Sequence, residues 1–221
     1  MNKDLIDFAN DHLVREVSKG STILYQGEVP RNANILIEGL VRVYSISRSG
    51  DEQVVAFHVK GEPFPSSWIF GTTTSSLFFY EAMTKCKIAY IPKDILHQFI
   101  YSNTTVISRV LKYFTSSYSS LLLRINAMQQ PRARDKLMYT LYYLAIRYGI
   151  TNGETVKLPI TLTHQTLGSL VGLTRETTAM EMSKLKKEKI ISYKNQTYIV
   201  NIKKLLEILG EENFIDINNS N

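Results

Sequence analysis

Leu162-Thr163-His164-Gln165-Thr166-Leu167-Gly168-Ser169-Leu170-Val171-Gly172-Leu173-Thr174-Arg175-Glu176-Thr177 is the stretch on which the reading of this 221-residue chain turns. Thr163 is a good N-cap for a helix from His164 to Val171, because its hydroxyl can accept from an amide of the first turn. Gly172-Leu173 makes the turn. Thr174 caps a second helix, which begins Arg175-Glu176-Thr177 and runs to about Lys187. Two short helices joined by a tight glycine-containing turn describe a helix-turn-helix. Ile190-Ile191-Ser192-Tyr193 and Thr197-Tyr198-Ile199-Val200 follow, split by Lys194-Asn195-Gln196, and read as a β-hairpin wing. Together they form a winged helix-turn-helix.

Such a unit works by placing its second helix in a DNA major groove, with the N-terminal residues at base edges. Arg175 can donate two hydrogen bonds to a guanine, and Glu176 can accept from cytosine N4. Lys184, Lys186, Lys187 and Lys189 can meet phosphates, which supply affinity without sequence information. Thr163, His164, Gln165 and Thr174 stand at helix N-termini, where backbone amides favour phosphate. The bland alternatives are a surface Arg175–Glu176 pair, a solvated lysine-rich helix end and an inert His164.

Charge supports the first reading. The formal net charge is +6, and it is unevenly spread. Residues 1–130 carry a net +2, residues 131–204 a net +8, and residues 205–221 a net −4. A compact basic block points to nucleic acid.

Working toward the N-terminus, Pro131 breaks the helical pattern and marks a hinge. Arg132 to Tyr148 is amphipathic and ends at Gly149, and Val156 to Ile160 is a short strand. Before the hinge a long helix runs from Asn103 or Thr104 to Gln129. Its apolar positions Ile107, Leu111, Phe114, Tyr118, Leu121, Ile125 and Met128 step by 4, 3, 4, 3, 4 and 3, an a/d seam. No second long helix carries a matching seam, so its simplest partner is the same helix of another copy, in a homodimer. The alternative is a helix packed on its own β-domain.

Upstream of Pro92 the period changes to that of strands. Ser21–Tyr25, Ile35–Ile37, Leu40–Tyr44, Gln53–Val59 and Lys85–Ile91 read as short strands. Gly27, Gly39, Gly50 and Gly61 recur at spacings of 12, 11 and 11, as in a wound β-structure. Asp94 to Tyr101 looks like a short helix. The aromatic stretch Phe64 to Tyr80 reads as plain core, or as the lining of an apolar pocket.

Several function classes fall away. Cys86 is the only cysteine, which removes CxxC zinc or redox motifs and fits a reducing, cytoplasmic compartment. The first 20 residues contain no apolar signal core, and no apolar run approaches a membrane span of ~18 residues. The four histidines (12, 58, 97 and 164) are scattered without His-x-His spacing. There is no phosphate-binding glycine loop or nucleophile elbow. The chain is therefore expected not to be an enzyme and to hold no cofactor or metal.

At this point the sequence resembles the cyclic-AMP receptor and fumarate-nitrate regulator (Crp/Fnr) superfamily of bacterial transcription factors. The resemblance rests on Leu162 to Gly168, Gly172 to Thr177, Leu185 and Ile190-Ile191. Gly20, Gly27-Glu28, Ile37-x-Gly39-x-Val41-Arg42-Val43, Gly50 and Gly61-Glu62 extend it into the β-half. It implies an α+β chain: an N-terminal cyclic-nucleotide-binding-like β-roll (jelly roll) over 1–102, a long dimerisation helix over 103–130, and a C-terminal winged helix-turn-helix over 131–221. It also implies a near-palindromic double-stranded operator and RNA polymerase as partners.

The departures from the family pattern are as informative. Cyclic-nucleotide binders carry a glycine-glutamate pair where this chain has Pro65-Ser66, and an arginine near Ser76-Leu77. A buried phosphate without a cation has little to offset its desolvation. Cyclic-nucleotide dependence is therefore not expected, and an alternative reading gives the β-roll another small-molecule effector. The iron–sulfur branch needs four cysteines. His58 and His97 are haem-ligand candidates only in principle, and Cys86 sits where burial is usual. In well-known branches an arginine lies five residues after Arg175. Met180 stands there, and with Ala179 it offers apolar contact to a thymine methyl instead.

Overall fold

Short alternating strands punctuated by glycine build the N-terminal half into two four-stranded antiparallel sheets. The computed structural model describes residues 3–194 and 197–211 and divides into two units between Lys112 and Tyr113. The first unit opens with α1 (Lys3–Asn10), β1 (Leu13–Val17), β2 (Thr22–Leu24), β3 (Ala33–Glu38), β4 (Val41–Ile46), β5 (Glu52–His58) and β6 (Pro63–Phe64). A helical turn, α2 (Ser66–Ile69), leads to β7 (Phe79–Ala82), β8 (Cys86–Ile91) and α3 (Lys93–Tyr101). One sheet has the order β1-β8-β3-β6 and the other β2-β7-β4-β5.

The sheets bury a shared core. Leu36, Cys86 and Ile88 come from one, and Leu24, Val41, Val43, Tyr80 and Ala82 from the other. Gly39, at φ +104°, shows why a glycine falls here, since a Cβ on it would stand 2.6 Å from the Cys86 Sγ. Cys86 is fully buried, with its thiol 3.4 Å from the Leu40 carbonyl. In the aromatic stretch, Phe64 and Tyr80 are core residues stacked on His58. His58 also bonds the fully buried Glu62 at 3.0 Å, the structural role a lone histidine usually plays.

The long helix α4 (Thr104–Gln129) spans the division between the units. Its seam is exposed: Leu111 is 66% accessible, Tyr118 63% and Leu121 49%, with Ile107, Ile125 and Met128 similar and Phe114 half-buried. The helix also has a second face, roughly 100° around the axis at 3.6 residues per turn. There Val106, Val110, Tyr113, Ser120 and Ala127 are buried. The seam read from the sequence is thus the outer of two faces. The inner one is apolar at Val106, Val110 and Tyr113, but Ser117, Ser120 and Arg124 interrupt its heptad pattern further on.

The second unit continues with α5 (Ala133–Tyr148), β9 (Ile150–Asn152), β10 (Thr155–Lys157), α6 (His164–Val171), α7 (Arg175–Lys187), β11 (Ile191–Lys194), β12 (Thr197–Asn201) and α8 (Ile202–Leu209). Helix α5 is buried on every side from Leu137 to Tyr148 except at Tyr139, and packs on α6, α7 and α8. The third sheet has the order β11-β12-β10-β9. The segment from Thr151 to Thr155 is the tip of the β9–β10 hairpin, closed at Gly153. The strand expected over 156–160 ends at Lys157, because Pro159 cannot donate to a ladder. Among the described residues, no helix is long and apolar enough to cross a membrane.

Candidate nucleic-acid interface

Helices α6 and α7 are set by their caps. The Thr163 hydroxyl accepts from the Thr166 amide at 3.0 Å, and the Thr174 hydroxyl from the Thr177 amide at 3.1 Å. Each such cap is worth about 1 kcal/mol. Between them Gly172 takes the left-handed conformation, φ +71°, that ends α6. Gly168 permits the close crossing, and Thr178 seals it by donating to the Thr174 carbonyl at 2.8 Å. Leu167, Leu170, Val171, Met182 and Leu185 are almost wholly buried beneath the motif. Each contributes roughly 1.5–3 kcal/mol of apolar burial, which makes the pair of helices one rigid body.

That packing leaves one face of α7 to solvent. Arg175 and Glu176, its first two residues, are exposed. No described residue pairs with either of them, including each other. Met180 is 53% exposed on the same helix, and Ala179 is half-buried beside it. Lys186 and Lys187 are exposed in the last turn without an ion pair among the described residues. Lys184 is also exposed, but its ammonium is held 2.7 Å from Glu181. Thr163, Gln165 and Thr174 are exposed at the two helix starts, and His164 is half-buried. The structure therefore places the base-reading candidates together on α7 and sets the phosphate candidates around them.

The wing forms in register, with Ile191 opposite Val200, Tyr193 opposite Tyr198 and Lys194 opposite Thr197. Its tip, Asn195-Gln196, lies outside the described residues. The Tyr193 and Tyr198 rings stand 4.9 Å apart, and burial pushes the Tyr198 hydroxyl up to about 12.

Sequence reasoning missed the supports behind this surface. Arg134, at the start of α5, grips both carboxylate oxygens of Glu188 at 2.8 and 2.6 Å. The same Arg134 hydrogen bond holds the Glu188 carboxyl below the usual carboxylate range. Lys204 donates to the Glu188 carbonyl at 2.6 Å. Together they pin the end of α7 to α5 and α8. Arg124 of α4 reaches the Leu170 carbonyl at 3.4 Å, and its guanidinium pKa is lowered by burial. Arg147 lies over Tyr113 and Tyr148 at 5.6 and 5.2 Å. These partners are 34 to 54 residues apart for Arg134–Glu188, Arg124–Leu170 and Arg147–Tyr113, or hidden among ordinary surface charges, so no local pattern announces them.

Known proteins share both halves. Residues 14–103 match the cyclic nucleotide-binding domain, and residues 135–208 the Crp-like helix-turn-helix domain. The chain is 24% identical over 213 residues to the fumarate and nitrate reduction regulatory protein of Vibrio cholerae, covering 95% of this chain and 84% of that one. It is 26% identical to the HTH-type transcriptional regulator ArcR of Staphylococcus haemolyticus, over 87% of this chain and 84% of the relative. Among solved structures, CooA from Carboxydothermus hydrogenoformans superposes with a TM-score of 0.73 at 21% identity, covering 91% of this chain and 89% of that one.

Proposed function

From a chain that belongs to the Crp/Fnr family of transcription regulators, we propose a homodimeric, sequence-specific DNA-binding regulator that works without a cyclic nucleotide. In this reading residues 1–102 form the sensor, 103–130 the dimerisation helix and 131–221 the DNA-binding domain. The observation that carries it is the free face of α7, where Arg175, Glu176 and Met180 stand exposed at the start of a helix locked from behind.

Arg175, Glu176, Ala179 and Met180 read bases. Thr163, His164, Gln165, Thr174, Lys184, Lys186 and Lys187 hold phosphates. Two subunits joined along Ile107, Leu111, Phe114, Tyr118, Leu121, Ile125 and Met128 present two such helices to a near-palindromic operator. The half-sites then lie about one helical turn, ~34–36 Å, apart. RNA polymerase is the further partner, and the exposed β9–β10 tip is its docking point. The cytoplasm is the compartment that such work requires.

Independence from cyclic nucleotide is supported where the ligand's charge would lie. Ser76 is 1% exposed and its hydroxyl donates to the Phe78 carbonyl at 2.8 Å. Arg42 of β4 is engaged by Glu81 at 2.9 Å and Glu52 at 2.6 Å. A selection from random duplex DNA, with and without cyclic AMP, tests the proposal. The expected product is a two-fold symmetric site recovered equally in both arms. Recovery only with the nucleotide, or no enriched site at all, overturns it. The second reading is a β-roll that takes another small-molecule effector, favoured by a cavity in the first unit lined by Arg15, Arg31 and Asn34.

A further inference from the structure

Between the two sheets of the first unit lies a cavity of about 300 Å³, at the lower end of the roughly 300–1,000 Å³ range of small-molecule sites. Neither Pro65-Ser66 nor Ser76-Leu77, the family's nucleotide positions, lines it. Its floor is Ile23, Leu24 and the ring of Tyr90, and its polar wall includes Arg15, Arg31, Glu28 and Asn34.

Asn34 is the telling residue. It sits on β3 opposite Tyr90 and is 2% exposed, and its side chain makes no hydrogen bond with any described residue. Its amide is not sealed away from solvent, and the space it opens to is the cavity. A molecule inside the cavity can therefore hydrogen-bond the Asn34 amide. Arg15 shares a cross-strand face with this site: on β1 it lies two residues from Leu13, which pairs with Tyr90, and its guanidinium stands 5.7 Å from the Tyr90 ring. Arg31 is exposed and has no ion pair among the described residues. Glu28 bonds its own turn, accepting from the Tyr25 amide at 3.0 Å.

Charge selects the ligand class. Two arginines and one glutamate leave the lining one positive charge, which a single carboxylate neutralises. A phosphate monoester would bring a second negative charge toward Glu28. We propose that this cavity binds a small organic monocarboxylate with an apolar body, its carboxylate on Arg15 and Arg31 and a polar substituent on Asn34. As a binding site it stands alone, and its role as an effector site rests on the regulator reading above.

Calorimetric titration of the full chain without DNA tests it, using 2-hydroxy-4-methylpentanoate as probe and 3-methylbutylamine as its cationic counterpart. The acid binds and the amine does not, at concentrations up to about 10 mM, well above a millimolar Kd. Arg31→Gln weakens the acid at least tenfold with an unchanged melting temperature. Asn34→Leu weakens it without lowering that temperature, since the amide it removes has no partner in the empty protein. No binding of the acid, equal binding of the amine, or an unaltered Kd in Arg31→Gln overturns the proposal. A mobility shift on the same preparation separates the two readings. Protein that binds DNA but not the acid refutes the cavity alone, and protein that binds the acid but no DNA refutes the regulator alone.

Discussion

Gly168 lies so close to Leu173 that a Cβ built on it would stand 2.6 Å from the Leu173 carbonyl oxygen. The obstacle is backbone and cannot rotate aside. Gly168→Ala gains up to about 1 kcal/mol of helix propensity but must push α6 from the turn, at roughly 1–3 kcal/mol for overpacking. The net expected result is a loss of about 1–2 kcal/mol in urea unfolding, together with weaker DNA binding. A variant more stable than the parent would show that the crossing is looser than this contact implies.

Arg175→Ala should cost about 1–3 kcal/mol on the selected operator and relax discrimination at one base pair per half-site. Lys186→Ala should weaken all sequences alike and flatten the salt slope by about one unit. Competition mobility shifts at several salt concentrations separate the two effects. If both variants behave alike, α7 is not placed in the groove as described.

Lys189 adopts φ +59°, a left-handed conformation that a side chain disfavours by roughly 1–2 kcal/mol. Lys189→Gly should therefore stabilise the fold by up to about 1 kcal/mol after the entropy cost of glycine. It should also lower DNA affinity modestly through the lost charge. Denaturant midpoints and a low-salt titration measure both.

Leu121 is 49% exposed in the middle of the α4 seam. Leu121→Glu places a charge where two copies are proposed to meet, and a buried unpaired carboxylate is strongly unfavourable. Sedimentation velocity should show the parent as a dimer and the variant as single subunits. A variant that remains dimeric would move the interface elsewhere.

Burial raises the Tyr198 hydroxyl to about 12 from its ordinary 10. The folded state thus favours the neutral phenol. Its contribution to stability is intact below pH 10 and is lost as pH rises from 10 toward 12, where the unfolded chain ionises first. Tyr198→Phe should leave stability near neutral pH almost unchanged and flatten the decline between pH 10 and 12. Urea midpoints at pH 8 and pH 11 provide the comparison.

The parts legible in sequence are those whose signals are local. Thr163 and Thr174 announce their helices because a cap acts within three residues, and Gly39 announces a turn because only its own backbone decides φ. The heptad steps from Ile107 to Met128 likewise lie on one helix. Helix α1 and the edge strand β1 escaped notice because they are short, and β1 is mostly exposed, so burial imposes little pattern on it.

By itself the order of residues determined the strand-rich first half, the long helix, the paired helices of the DNA-reading motif and the charge that surrounds it. Only the tertiary structure decided which of the two α4 faces is buried, that Arg134 clamps Glu188, and that Asn34 of β3 lines a cavity with Arg15 of β1. The physical reason is range. Caps, turns and periodicity are settled within a helical turn or a strand pair, whereas ion pairs and cavities depend on which distant segments the packed core brings together.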